Sequence, residues 1–225
     1  MKQLQKWGGA AALYEALAYI IGFVGFGAIV SVGDISDPQA RVAAIGEQLG
    51  VLTALYLIVY VAWGASLVVL SLALHERLRG ETSALARIAT AFGLIWAVLV
   101  IASGMIYNVG MQAVVALSET AAEQAATVWL AVEVVFEGLG GGVEVVGGIW
   151  VLLLSVVGLR DGLLSRPFSL FGFLVGAAGL LSVVPALSEI TVSVFGLTQI
   201  VWFVWLGIIM LRRPAPVTAA APERA

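Results

Sequence analysis

Six long apolar runs alternate with short polar joints along the chain, at residues 8–32, 50–75, 88–116, 127–157, 168–187 and 190–211. A helix rising 1.5 Å per residue needs about 20 such residues to cross roughly 30 Å of hydrocarbon, so each run predicts one crossing. The third and fourth runs exceed one crossing and are expected to tilt or to project beyond the bilayer. The period-two alternation of a lipid-facing barrel is missing, and irregular backbone cannot face lipid. The pattern therefore predicts an all-α fold, a polytopic integral membrane bundle of about six transmembrane helices forming a single domain over residues 1–213. The Pro- and Ala-rich stretch 214–225 is expected to be a disordered cytoplasmic tail. A cleaved signal peptide is a poor reading of residues 1–33, because the apolar run is too long and Glu15 sits inside it.

Charge then orients the pattern. Lys2, Lys6, Arg77, Arg79, Arg87, Arg160, Arg166, Arg212, Arg213 and Arg224 all fall on one side of a six-span path, and only Arg41 falls on the other. The Arg41 side is acidic, with Asp34, Asp37, Glu47, Glu119, Glu123 and Glu189. Basic residues stay on the cytoplasmic side, so both termini are expected to be cytoplasmic and the protein to sit in a bacterial inner membrane.

Composition narrows the chemistry. Hydrophobic residues make up 61% of the chain and charged residues 11%, too little polar surface to cover a core in water. This excludes a soluble enzyme, a nucleic-acid binder and a disordered protein. There is no cysteine and only one histidine, His75, so thiolate metal sites and paired haem ligands are excluded, and no cofactor is expected. The lysines precede the first apolar run, which leaves no buried Schiff-base lysine. No nucleophile or acid–base pair points to a catalytic residue.

One segment stands apart, EVVFEGLGGGVEVVGGIW from Glu133 to Trp150. On an unbroken helix Glu133, Glu137, Gly140, Gly141, Glu144 and Gly148 share one face. The three acids then span about 16 Å of a single stripe, interleaved with glycines that let another backbone approach. Neither feature suits lipid, so the stripe is expected to face the bundle interior. No basic side chain lies deep in a predicted span to pair with it. A carboxylate near the bilayer centre costs about 2.5–3.5 kcal/mol even on the lenient insertion scale. Three outcomes remain open: a proton-carrying site, a cation site with oxygen ligands, or neutral acids donating hydrogen bonds.

Depth matching places Tyr107 and Asn108 near Glu133 and Glu137, and Gln199 near Glu144, with Glu15 toward the cytoplasmic side. Together these residues form a candidate polar track for protons, a small cation or a substrate with a cationic group. The structural alternative is that the polar residues only lock helices together. Gly140, Gly141, Gly148, Gly172 and Gly176 are the candidate helix-packing glycines, within the chain, between copies or against a larger membrane complex. Trp7 and Trp129 fit an interfacial belt, while Trp63, Trp96, Trp150, Trp202 and Trp205 read as packing or lipid contacts. GLIW (Gly93–Trp96) echoes GGIW (Gly147–Trp150), the one trace in the sequence of an internal repeat. Three functional classes follow: a proton- or cation-linked transport or ligand-binding protein, an accessory subunit packing through its glycine faces, and a membrane enzyme acting on a lipid or quinone.

Three stretches carry a resemblance: LHERLRGETSALARIATAFGLIWAVLVIASGMIYNVG (Leu74–Gly110), EGLGGGVEVVGGIWVLL (Glu137–Leu153) and GLTQIVWFVWLGIIMLRR (Gly196–Arg213). Each is similar to a bacterial family of multi-span membrane proteins, domain of unknown function 4386. The resemblance covers most of the chain from the second span onward. It implies an integral membrane fold and carries over no activity, cofactor or catalytic residue.

Overall fold

Helices with this much apolar surface bury it against one another, and the chain does so in six rods. The structure is a computed structural model and describes residues 2–30, 32–33, 35–78, 83–141 and 144–212. Asp34, Arg79, Arg213 and Arg224, and the tail from Pro214, lie outside the described residues. Helix α1 (Lys2–Val24) continues into a widened π turn (Gly25–Ile29), and α2 (Pro38–Tyr56) passes through a second one (Leu57–Ala62) into α3 (Trp63–Arg77). Helix α4 (Ser83–Ser118) stands alone, and α5 (Ala122–Phe136) leads through a third π turn (Glu137–Gly141) to α6 (Val145–Arg160). Helices α7 (Arg166–Leu181) and α8 (Ser188–Arg212) complete the path, and no strand occurs among the described residues. The result is an all-α helical bundle.

Five rods are long and apolar enough to cross a membrane: Gln3–Ile29, Pro38–Arg77, Ala84–Ser118, Ala122–Arg160 and Ser188–Arg212. The second begins at Pro38 rather than near residue 50. Asp37 accepts a hydrogen bond from the Ala40 N–H at 2.8 Å and Pro38 occupies the first turn, a favourable helix start that hydropathy alone cannot see. Conversely, α7 stops at Leu181, short of the apolar run's end at residue 187, and Pro185 lies in the turn beyond it. Its 16 residues reach about 24 Å, whereas the 36 residues of α4 reach about 54 Å.

That disparity divides the interior in two. Helices α3 and α6 pack on the first half of α4, α1 packs on α3 and α8, α7 packs on α6 and α8, and together they bury Trp63, Trp96, Trp150, Phe168, Trp202 and Phe203. Helices α2 and α5 pack on the second half of α4 as an outer lobe, burying Ile45, Leu52, Met111, Val114 and Trp129. Trp129 is fully buried against Tyr107, at 4.7 Å between ring centroids, rather than sitting in an interfacial belt. Lys6, Arg77, Arg87, Arg160, Arg166 and Arg212 lie at the end of the bundle where the described chain starts and finishes. Asp37, Glu47, Glu119, Glu123 and Glu189 lie at the other.

The two GxIW segments interlock. A Cβ on Gly147 would come 2.5 Å from the Trp96 ring, and one on Gly93 would come 2.5 Å from Trp150 Nε1. Each indole thus lies on the glycine of the other segment, with the two rings 5.7 Å apart. Gly93→Ala places a methyl group into this contact and is expected to cost about 1–3 kcal/mol by overpacking. Thermal melting of the purified variant in detergent checks it, and an unchanged melting temperature would show that the indole yields freely.

Candidate functional site

The acidic stripe is not one helical face. Gly140 has φ 134°, ψ 15°, a conformation that only glycine adopts readily, and the rod breaks there. A run of glycines in LGGG between two helical stretches permits such a break. On one side Glu137 opens the π turn that Gly141 closes, and it is exposed rather than turned into the bundle. On the other, Glu144 stands just before α6 with non-helical backbone. Its N–H donates to Ser182 Oγ at 2.9 Å, and Ser182 donates in turn to the Gly179 carbonyl at 2.7 Å. Glu144 is thereby fixed where α7 ends, one full helix length from the basic end of α6.

The break opens a cavity of about 70 Å³ lined by Tyr19, Val59, Tyr60, Trp63, Trp96, Val100, Gly140 and Glu144. That is several times the roughly 10–15 Å³ that holds one water. Tyr19 and Trp63 meet edge to face at 80° with centroids 6.0 Å apart, and Trp63 and Trp96 at 74° and 4.8 Å. Rings set at near right angles form walls rather than a stack. The cavity is an aromatic box with one carboxyl group in its wall, and no lysine, arginine or histidine lines it. Two of its walls come from discontinuities, since Val59 and Tyr60 belong to the second π turn and Gly140 to the third. π turns interrupt regular helical pairing and recur at functional sites. Here the Tyr14 hydroxyl donates to the Ile58 carbonyl at 2.8 Å within the widened turn.

A second cavity of about 160 Å³ lies in the outer lobe, where Arg41, Glu133, Tyr56 and Tyr107 are among its walls. Arg41 Nη1 donates to Glu133 Oε1 at 2.8 Å, and its Nε donates to the Ile35 carbonyl at 2.8 Å. The one basic residue on the acidic side is therefore the partner of an acid that the sequence left without one. Helix α2 starts well before the apolar run and so brings Arg41 beside α5. Tyr56 joins the two cavities, with ring centroids 5.3 Å from Tyr60 and 4.4 Å from Tyr107. Arg41→Met strands the Glu133 carboxylate and is expected to cost about 2 kcal/mol. Adding Glu133→Gln should recover part of that loss, and paired melting curves of the single and double variants measure it.

The comparisons with known proteins bear on the whole of this arrangement. The family described as Domain of unknown function (DUF4386) matches residues 9–210, which takes in both cavities. The chain belongs to this family. No curated protein and no solved structure matches it.

In this DUF4386 chain the remaining candidates line neither cavity. Glu15 is fully buried one turn before Tyr19. The Ser66 hydroxyl lies beside this carboxyl group and also donates to the Ala11 carbonyl at 3.4 Å. Gln199 and Asn108 are also buried, with side-chain amides that have no partner among the described residues. Tyr19 and Tyr60 line the same cavity as Glu144. Among the described residues no three of His, Asp and Glu gather as a metal site. Of the glycines, Gly148 and Gly176 bring the α6 and α7 backbones together, and Gly172 lies against Ser155 and Trp202 of α6 and α8.

Proposed function

We propose that the protein binds a small organic cation within the membrane, as a transport or ligand-binding protein, with Glu144 as the counter-charge. The observation that carries this reading is the box itself, four aromatic rings and a single carboxyl group around about 70 Å³ with no basic residue in the wall. Aromatic faces attract ammonium groups by about 2 kcal/mol or more once water is excluded. A hard metal ion is poorly served there, since calcium takes 6–8 oxygen ligands and magnesium a full octahedron. Breaks in the helices around the box support a transport role, because discontinuous helices commonly frame substrate sites in transporters. The accessory-subunit reading loses support where Gly148, Gly172 and Gly176 are occupied by contacts inside the chain. We place the basic end of the bundle at the cytoplasm of a bacterial inner membrane, following the distribution of lysine and arginine.

The test is titration of the purified protein with tetramethylammonium, read by tryptophan fluorescence and melting temperature, beside equal concentrations of Na⁺. Binding to the folded state alone raises stability by about 2.7 kcal/mol at a hundred times Kd. Glu144→Gln keeps the backbone bond to Ser182 and is expected to weaken the affinity at least tenfold. If tetramethylammonium acts no more strongly than Na⁺, or if the variant responds as wild type does, the reading is wrong. Flux into proteoliposomes then separates transport from binding.

A further inference from the structure

The box is too small for anything beyond a head group, yet it does not stand alone. Beside it runs a groove of about 420 Å³, and Tyr19, Val59 and Tyr60 line both spaces. The rest of the groove is Gly22, Phe23, Phe26 and Gly27, so beyond the two tyrosine hydroxyls its walls offer no polar side chain. Phe23 and Gly27 are exposed, which puts the groove on the outer surface of α1. On a membrane-spanning helix that surface meets lipid. Two π turns border it, with Phe26 and Gly27 in the first and Val59 and Tyr60 in the second. A Cβ on Gly27 would meet nothing within 4 Å, so its missing side chain leaves open space.

We propose that the ligand is an amphiphilic cation, an alkylammonium whose head group sits in the box beside Glu144 and whose hydrocarbon chain lies in this groove. The inference rests on the cation-binding reading above and adds the ligand class and its sideways route from the lipid. The head group meets the aromatic faces and the carboxylate, while the chain meets phenylalanine, valine and glycine. A phosphate-bearing head group does not fit, because its negative charge would face Glu144 with no arginine or lysine in either wall. Each methylene that moves from water into the groove is expected to tighten binding by about fourfold.

The experiment compares tetramethylammonium, hexyltrimethylammonium and dodecyltrimethylammonium on the full chain in a neutral detergent. It uses wild type, Glu144→Gln and Gly27→Phe, with dodecylphosphocholine as a further ligand. Phenylalanine at position 27 enters open space, so the fold is expected to hold, and an unchanged melting temperature verifies that. Partition of the ligands into detergent is common to all three proteins and cancels in the comparison. The expected result is affinity that climbs with chain length in wild type and flattens in Gly27→Phe, while tetramethylammonium binding stays within about twofold. Equal chain-length slopes in wild type and Gly27→Phe overturn the groove assignment while leaving the cation box intact. Dodecylphosphocholine binding as tightly as dodecyltrimethylammonium overturns the phosphate-free class. If wild type binds none of the ammonium ligands, or Glu144→Gln binds them as wild type does, the underlying reading fails and the groove proposal with it.

Discussion

Gly148→Leu is expected to abolish the folded bundle. At this position α6 and α7 touch backbone to backbone, and a Cβ would come 2.8 Å from the Gly176 carbonyl oxygen and from the Leu180 nitrogen. Neither atom can rotate away, unlike the tip of a side chain. Gly179 faces back, since a Cβ there would come 2.7 Å from the Gly148 Cα and 2.9 Å from the Glu144 carbonyl. A leucine forces the helices apart over the whole contact, beyond the usual 1–3 kcal/mol of overpacking and a large part of the roughly 5–15 kcal/mol that holds a domain. The same separation pulls Ser182 from the Glu144 N–H. Size-exclusion profile and helical content after extraction are the readout; a monodisperse variant that melts like wild type would show that α7 can dock elsewhere.

Trp129→Ala should act as strongly but over a smaller region. Trp129 is fully buried among Tyr107 and its neighbours in the outer lobe, and removing so large a ring costs about 3–5 kcal/mol. The lobe has its own core, so the loss should fall on α2 and α5 and spare α7 and α8. Hydrogen exchange resolved by peptide tests this, with faster exchange expected over residues 38–56 and 122–136. Uniform acceleration across the chain would mean that the two cores melt as one.

How much of this was legible beforehand depends on which force decided each feature. Apolar runs placed the rods because burial from water is a property of the run itself. The start of α2 was hidden, since Gln39, Arg41, Glu47 and Gln48 dilute its hydropathy and only the Asp37 cap declares it. The stripe failed for the opposite reason. Acids at helical spacing count toward a face only while the helix is unbroken, and Gly140 breaks it, leaving Glu137 exposed and Glu144 in the box. The LGGG run is visible, but glycines in a span fit close packing as well as a break. Tyr19, Tyr60, Trp63 and Trp96 were equally visible, but an aromatic residue in a span looks the same whether it packs or walls a cavity. Arg41 and Glu133 are 92 residues apart, and no local pattern could join them.

The crossed indoles of Trp96 and Trp150 have a mechanical consequence. Sliding α4 along α6 by one turn, about 5.4 Å, would lift both rings off their glycines. The two helices are keyed together like a pair of ratchet teeth facing opposite ways, so sliding in either direction gives up both contacts. Trp96 and Val100 therefore belong to a rigid wall of the box, whereas Tyr19, Val59 and Tyr60 hang on helices outside that lock. If the space changes shape, it does so by displacement of the α1 side, and cross-links between α4 and α6 would leave that displacement free.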